Sequence, residues 1–224
     1  MWSCVIKSSL SQNGEDVMLL PLVLQAAAES GGGTFVEIGA NDGLYMSNTY
    51  ALERCFNFTG LLIEANPANF KALKRNVKDL RLRSGVTTMH KGVCPTNGTM
   101  RVTAAGGVTS GSPEDMSAAF MKKFAARNGK GLVDVPCDSL GALMNSAGLA
   151  TATLLSLDVE GAEAKVLETV DPARFSVMVI ESDGTDPPKE QRVDKLCRAA
   201  GLVPLGQWRV ANSKVYIRRH LRRR

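Results

Sequence analysis

Short runs of almost wholly apolar residues recur along this chain, and helical spacing follows most of them. The clearest are "TFVEI" (Thr34 to Ile38), "GLLIE" (Gly60 to Glu64), "TLLSLDV" (Thr153 to Val159) and "FSVMVIE" (Phe175 to Glu181). A half-exposed strand alternates polar and apolar side chains, so runs that stay apolar are covered on both faces. Strands of that kind, alternating with amphipathic helices, specify an α/β fold: a mostly parallel sheet layered between helices. A β-sandwich, a coiled coil and a helical bundle do not fit this order.

The helical stretches have readable ends. "EDVMLLPLVLQAAAES" stops at Gly31, Gly32 and Gly33. "SNTYALERCF" starts with Ser47 or Asn48 as its cap, and Pro67 opens "PANFKALKRNV" in the first turn, where proline fits. Further helices are predicted in "DSLGALMNSAG", "GAEAKVLETV" and "PPKEQRVDKLCRAAG". "VTTMHKGVC" (Val86 to Cys94) is predicted as the third strand and "TMRVTAA" as an extra one. "LVDVPCDSL" supplies a further strand before its helix. The last two strands, "LVPLGQW" and "SKVYIRR", have no helix between them, which predicts an antiparallel hairpin at the sheet edge.

The chain of 224 residues, 44% hydrophobic and 22% charged, suits a single domain spanning residues 1–224 with a full core. Residues 1–33 read as an N-terminal helical segment and 106–131 as an insert that interrupts the alternation, a candidate lid or substrate loop. Its Met116, Phe120, Met121 and Phe124 suit core packing more readily than a lid. Residues 218–224 form a basic tail with five arginines, and without them the formal charge of +5 falls to zero. The body has no basic stripe interleaved with aromatics, so nucleic acid is not an expected partner. The longest apolar stretch, Val17 to Ala28, contains Pro21 and is shorter than the roughly 18 residues a bilayer span needs. No basic-then-apolar leader is visible, and a soluble, cytoplasmic protein is expected. The five cysteines are odd in number and lack a C-x-x-C pair, so they read as reduced, mostly buried thiols. The sequons Asn57-Phe58-Thr59 and Asn97-Gly98-Thr99 are of a kind that arises often by chance.

In open α/β sheets ligands bind beyond the carboxyl ends of the strands. Here those ends are acidic: Glu37 and Asp42 at the first strand, Glu64 at the second, then Asp158 and Glu160, then Glu181 and Asp183. Charges beside a buried edge cost free energy unless they are used or paired. The first loop reads Glu37-x-Gly39-x-Asn41-x-Gly43, whereas a dinucleotide site requires G-x-G-x-x-G. Glu37 before the first glycine repels a phosphate and suits a ligand with a sulfonium and an ammonium. S-adenosylmethionine has both, and Glu64 is placed to accept from its ribose hydroxyls, as an acid does in dinucleotide folds.

The blocks "SQNGEDV", "GTFVEIGANDGLYMSNT", "GLLIEANPANFKAL", "VPCDSL" and "LLSLDVEGAEAKVLETV", in this order between Ser11 and Asp183, resemble the FkbM family of S-adenosylmethionine-dependent methyltransferases. The resemblance implies a class I, Rossmann-like methyltransferase fold with a seven-stranded sheet, six strands parallel and one antiparallel. It also implies methyl transfer to a hydroxyl, usually on a sugar, a glycan or a glycosylated or polyketide-type metabolite. A different small-molecule or protein hydroxyl, or a non-catalytic binding module, is the alternative.

Cofactor contacts are expected from Gln12, Asp16, Glu37, Gly39, Asn41, Asp42, Gly43, Glu64, Ala65, Val93, Cys94 and Asp158. Gly39 and Gly43 allow close backbone approach, and Asn41 tolerates a left-handed conformation where another glycine is common. Glu37 is expected to face the methionyl ammonium. Gln12 and Asp16 match the family's opening motif, with capping by Ser11 or Asn13 as the plain alternative. Val93 and Cys94 fall where adenine lies, and Asp42 stays open between cofactor, helix cap and acceptor. For catalysis the candidates are Asp158, Glu160, Glu181 and Asp183. Either Asp158 or Glu160 is a general base for the acceptor hydroxyl, or Asp158 with Glu181 or Asp183 holds a divalent cation, Mg or Mn, as some relatives on the fold do. Helix capping by these acids is the plain alternative. His90 and His220, the only histidines, are read as structural.

Overall fold

The computed structural model describes residues 1–107, 110–116, 131–210 and 212–223. Its strands are β1 (Thr34–Ile38), β2 (Thr59–Glu64), β3 (Val86–His90), β4 (Gly92–Val93), β5 (Gly98–Thr103), β6 (Leu132–Asp138), β7 (Ala152–Leu157), β8 (Phe175–Glu181), β9 (Leu202–Val210) and β10 (Ser213–Arg218). The described helices are α1 (Trp2–Ser8), α2 (Glu15–Ser30), α3 (Tyr50–Phe56), α4 (Pro67–Lys74), α5 (Leu140–Ser146), α6 (Glu163–Leu167) and α7 (Pro187–Ala199).

Seven strands form one sheet in the order β3-β2-β1-β7-β8-β10-β9. Strands β3, β2, β1, β7 and β8 run parallel, and β10 pairs antiparallel with both β8 and β9. Six strands therefore share a direction and β10 opposes them, the predicted class I arrangement with an antiparallel edge hairpin. Adjacent residues on the apolar strands serve opposite layers, as the two-residue strand period requires. Val36, Leu61 and Leu155 pack with Leu140 and Met144 of α5. Phe35, Leu62 and Leu154 pack on the other face with Leu19 and Val23 of α2. Each such side chain contributes roughly 1.5–3 kcal/mol on burial, so both helical layers are held to the sheet by the strand residues themselves.

Two sequence expectations change here. The predicted third strand ends at His90, and Gly92–Val93 leaves the main sheet to pair with β6 in a small sheet ordered β4-β6-β5. Gly92 permits that departure: a Cβ there would lie 2.1 Å from Met100 Sδ. Second, the cysteines are not all reduced. Cys4 pairs with Cys55, joining α1 to α3, and Cys94 pairs with Cys137, joining the end of β4 to β6. Cys197 is buried and free. The odd count misled because the fifth cysteine belongs to the core, and the partners, 51 and 43 residues apart, meet only through tertiary packing. Structural disulfides belong to oxidising surroundings, so the paired cysteines lend no support to the cytoplasmic expectation. Among the described residues no helix is long and apolar enough to cross a membrane.

Candidate active site

The strand order reverses between β1 and β7, and their carboxyl ends stand side by side there, the place where α/β sheets bind ligands. A cleft of about 980 Å³, partly open to solvent, lies over these ends. Its floor is set by the loop after β1, where Gly39, Asn41 and Gly43 all take positive φ. A Cβ on Gly39 would stand 1.9 Å from the Asp158 carbonyl oxygen, so any side chain there would force β1 and β7 apart. Gly43 serves packing instead: a Cβ would meet Leu73 Cδ1 at 2.5 Å, and the residue does not line the cleft. Asp42 Oδ1 accepts from the backbone N–H groups of Leu44 (2.9 Å) and Tyr45 (2.7 Å), closing the turn below the cleft.

Glu64 closes β2 with its carboxylate fixed between two loops. Oε2 accepts from Asn41 N–H and Oε1 from Asn66 N–H, each at 2.7 Å. Burial pushes its pKa up to about 7, against the opposing effect of the Asn66 and Asn41 amides. Asn69 and the Ala65 amide add to that opposing effect. Asn66 also caps α4 and donates to the carbonyls of Thr103 (2.7 Å) and Ala105 (2.9 Å). Asn69 adds bonds to Gly107 and Ser110, both of which line the cleft, so α4 and its cap tie this rim to the site.

Glu37 lines the cleft, yet its carboxylate is already engaged. It accepts from Ser47 Oγ (2.9 Å), Thr49 Oγ1 (2.6 Å) and Asn48 N–H (3.0 Å), and Arg83 Nη1 stands 3.6 Å away. Ser47, one of the two residues expected to cap α3, thus serves Glu37 instead, as does Thr49. Asn48 donates its amide to Ser156 Oγ at 3.0 Å, and its buried Oδ1 has no hydrogen-bond partner among the described residues.

Beyond β7 the acids converge. Single carboxylate oxygens of Asp158, Glu160 and Glu181 lie within 4.8 Å of one another. Solvent reaches Asp158 through the open cleft, while protein surrounds it on its other sides. That crowding pushes its pKa up to about 7; the Glu163 charge adds to the rise and a hydrogen bond from Glu181 opposes it. Glu160 and Glu181 are also raised, by burial first and the Asp158 charge second. The three titrate as a unit that retains protons at neutral pH. Glu163, fully buried, accepts from Val159 N–H (3.2 Å) and Gly161 N–H (3.1 Å) and pairs with Lys189 Nζ at 2.7 Å. It thereby fixes the loop on which Glu160 sits at φ +59°.

Of the residues predicted from sequence, Glu37, Gly39, Asn41, Glu64, Ala65, Val93, Asp158 and Glu160 line the cleft. The others lie elsewhere. Gln12 and Glu181 line a neighbouring cavity. Asp16 receives the hydroxyls of Ser9 (2.8 Å) and Ser11 (2.6 Å). Cys94 is in its disulfide, and Asp183 Oδ1 accepts from Thr185 N–H and Oγ1, outside the converging trio. His90 stacks on Phe70 and His220 contacts Glu29. In the 106–131 insert, Met116 is buried, while Phe120, Met121 and Phe124 fall outside the described residues. Sequence reasoning set Glu163 beside Asp158 and Glu160 without giving it a role, and it missed Asn48, Asn69, Arg83 and Lys189. The signal for Glu163 was its place in the "DVEGAE" block; the four missed residues carried none.

The residues present fit S-adenosylmethionine. Glu64 brings a carboxylate to the cleft wall, the acceptor chemistry a ribose diol requires, and Lys91 is the one Lys or Arg among the described residues that line the cleft, which leaves no phosphate clamp. Asn48 Oδ1 is an acceptor that an ammonium would satisfy.

The family profile described as methyltransferase FkbM domain matches residues 37–216. No curated protein matches the chain. Among solved structures, a methyltransferase FkbM from Methylobacillus flagellatus KT is 13% identical over 96% of this chain and 58% of its own, with a TM-score of 0.47. This chain thus spans little more than half of that protein's length. A Staphylococcus aureus structure provisionally named a caffeoyl-CoA O-methyltransferase is 11% identical over 90% of this chain and 83% of its own, with a TM-score of 0.51. At such identities the likeness is one of fold.

Proposed function

The chain belongs to the FkbM methyltransferase domain family, and from that premise we propose that it methylates a hydroxyl of a sugar, a glycan or a glycosylated metabolite with S-adenosylmethionine as donor. The observation that carries the cofactor part is Glu64, a buried carboxylate held open by Asn41 and Asn66 at the end of β2. When bound, that cofactor supplies a methyl group already activated by its sulfonium charge. The chain's own task is to align an acceptor oxygen and take its proton.

Asp158 is the proposed base. It lines the cleft at the end of β7, and its pKa near 7 leaves a sizeable ionised fraction at neutral pH with real basicity. Glu181, which keeps its proton at neutral pH, donates a hydrogen bond to Asp158 and so steadies the ionised carboxylate that takes the acceptor's proton. The second reading is a magnesium or manganese ion on the same three oxygens, favoured by their convergence within 4.8 Å. EDTA decides between them: a base needs no metal, whereas a metal site loses turnover to EDTA and regains it with added ion.

The overall reading is tested in two steps. Calorimetric titration with S-adenosylhomocysteine should show binding, and a mass-spectrometric screen of glycans should find a gain of one methyl. Binding without any sugar product, together with methylation of a non-sugar hydroxyl, would replace the acceptor class and leave the cofactor site standing.

A further inference from the structure

A second cavity, about 460 Å³, lies beside the cleft and shares four wall residues with it: Met46, Asn48, Ser156 and Asp158. Its far wall comes from the chain before α2 and from the β9–β10 turn. We propose that this cavity is the acceptor subsite and that it takes a neutral polyhydroxyl ligand such as an uncharged sugar unit. The proposal rests on the methyltransferase reading of the cleft.

Methyl transfer by in-line displacement brings two ligands together at one point, with the acceptor oxygen opposite the sulfur. The two binding spaces must therefore meet beside a group that can take a proton. This cavity meets the cleft at Asp158. Another cavity, on the flank walled by Val93, Met100 and Ser112, shares no acid with the cleft.

The lining sets the ligand chemistry. Gln12, Asn13, Asn48 and Asn212 bring amides, and Ser156 and Ser213 bring hydroxyls. Such groups both donate and accept, which matches a hydroxyl; the Asn13 and Asn48 amides already donate to Glu15 and Ser156, which leaves their oxygens and the Gln12 and Asn212 amides for a ligand. Glu15, Asp158 and Glu181 also line the space, and no Lys or Arg does so among the described residues. A uronate, sulfate or phosphate on the ligand would meet carboxyl groups without a counter-charge. The apolar part of the wall is small, limited to Met46, Leu157 and Val179, which disfavours a broad aromatic acceptor. Gln12 stands exposed at the mouth and makes no hydrogen bond among the described residues. Asn48 Oδ1 is buried and unpartnered on the shared wall.

The test uses the whole chain saturated with S-adenosylhomocysteine. The probes are a panel of neutral methyl glycosides and the matching glycosides with a uronate, followed by saturation-transfer NMR. Neutral members should bind with Kd of about 1 mM or better and their uronate partners about tenfold more weakly. Gln12→Trp, which fills the mouth, should weaken neutral-glycoside binding about tenfold while S-adenosylhomocysteine affinity stays within about twofold. Ser213→Trp, from the opposite wall, should do the same. No neutral glycoside binding, uronates binding as tightly, glycoside binding indifferent to both tryptophan variants, or loss of S-adenosylhomocysteine affinity in them would each overturn the subsite. Failure of the unaltered chain to bind S-adenosylhomocysteine would overturn the cofactor reading instead, so the two failures are distinguishable.

Discussion

The Arg83 guanidinium stands 3.6 Å from the Glu37 carboxylate, with both side chains closed off from solvent. The same arginine donates Nε to Glu53 at 2.6 Å and Nη2 to Thr49 at 2.9 Å, and reaches the Gly43 carbonyl at 3.0 Å. It also lies 5.3 Å from the Phe35 ring centre. One buried cation thus ties β1, its loop and α3 together, and Glu37 is as much an anchor for that loop as a wall of the cleft. Arg83→Met would leave two buried acids uncompensated, which costs about 3–5 kcal/mol. Urea denaturation should show that loss, with S-adenosylhomocysteine affinity falling in parallel. An unchanged midpoint would refute the anchoring role.

Glu64 gives a pH prediction with a definite sign. Its folded pKa is about 7 against an ordinary 4.5, so between these values the folded, ligand-free chain holds a proton that the unfolded chain has released. Its contribution to stability is fully present below pH 4.5 and is lost as the pH rises through about 7. Ribose hydroxyls donate to the ionised form, so cofactor affinity moves the other way and strengthens from about pH 6 to about pH 8. Glu64→Gln should bind S-adenosylhomocysteine more than about tenfold more weakly and with a flat pH profile. An affinity for the unaltered chain that does not change over this range would rule out the ribose role.

The fold was legible because it depends on runs of residues. Phe35 to Ile38 or Leu154 to Leu157 must be covered on both faces wherever they are placed, and that requirement alone yields the layered sheet. The place of the cleft was legible for a similar reason, since Gly39 and Glu64 stand at the ends of β1 and β2 and both line it. What escaped was set by residues distant in sequence. Arg83, in "RLRSG", looks like any surface arginine until α3 and β1 bring Glu53 and Glu37 around it. Asp42 could have met a ligand, and only the positions of the Leu44 and Tyr45 amides show that it closes a turn. The departure of Gly92 from the third strand follows from a contact with Met100, which no strand propensity encodes.

Lys189 of α7 pairs with Glu163 of α6 beside the acid cluster. Burial is the strongest single influence on Lys189 and lowers its pKa, but the charge and hydrogen bond of Glu163 together with the charges of Glu181 and Asp183 outweigh it and raise the value. Lys189→Met leaves Glu163 buried beside three further carboxyl groups, at a cost of about 3 kcal/mol. It should also lower kcat more than KM, because Glu163 holds the Val159 and Gly161 amides next to Asp158. Glu163→Gln in the same chain removes the stranded charge and should restore part of the stability but little of the kcat. A Lys189→Met protein with normal stability and turnover would show that the pair has no positioning role.

The disulfides can be checked chemically before any activity is known. With Cys4–Cys55 and Cys94–Cys137 formed, alkylation in denaturant without reductant should add one label, at Cys197, and alkylation after reduction should add five. The burial that pushes the Cys197 thiol up to about 12 should keep it unlabelled in the native protein. Loops of this size stabilise a fold by about 3–4 kcal/mol each through the unfolded chain, so reduction should lower Tm by roughly 10 °C or more. The two bridges should separate in their effects. Cys4→Ser with Cys55→Ser frees α1 from α3, away from the cleft, and should leave S-adenosylhomocysteine affinity near its original value. Cys94→Ser with Cys137→Ser loosens β4 from β6, where Val93 lines the cleft, and should weaken that affinity as well. Five labels without reductant would show the thiols to be free and restore the reading that the cysteine count first suggested.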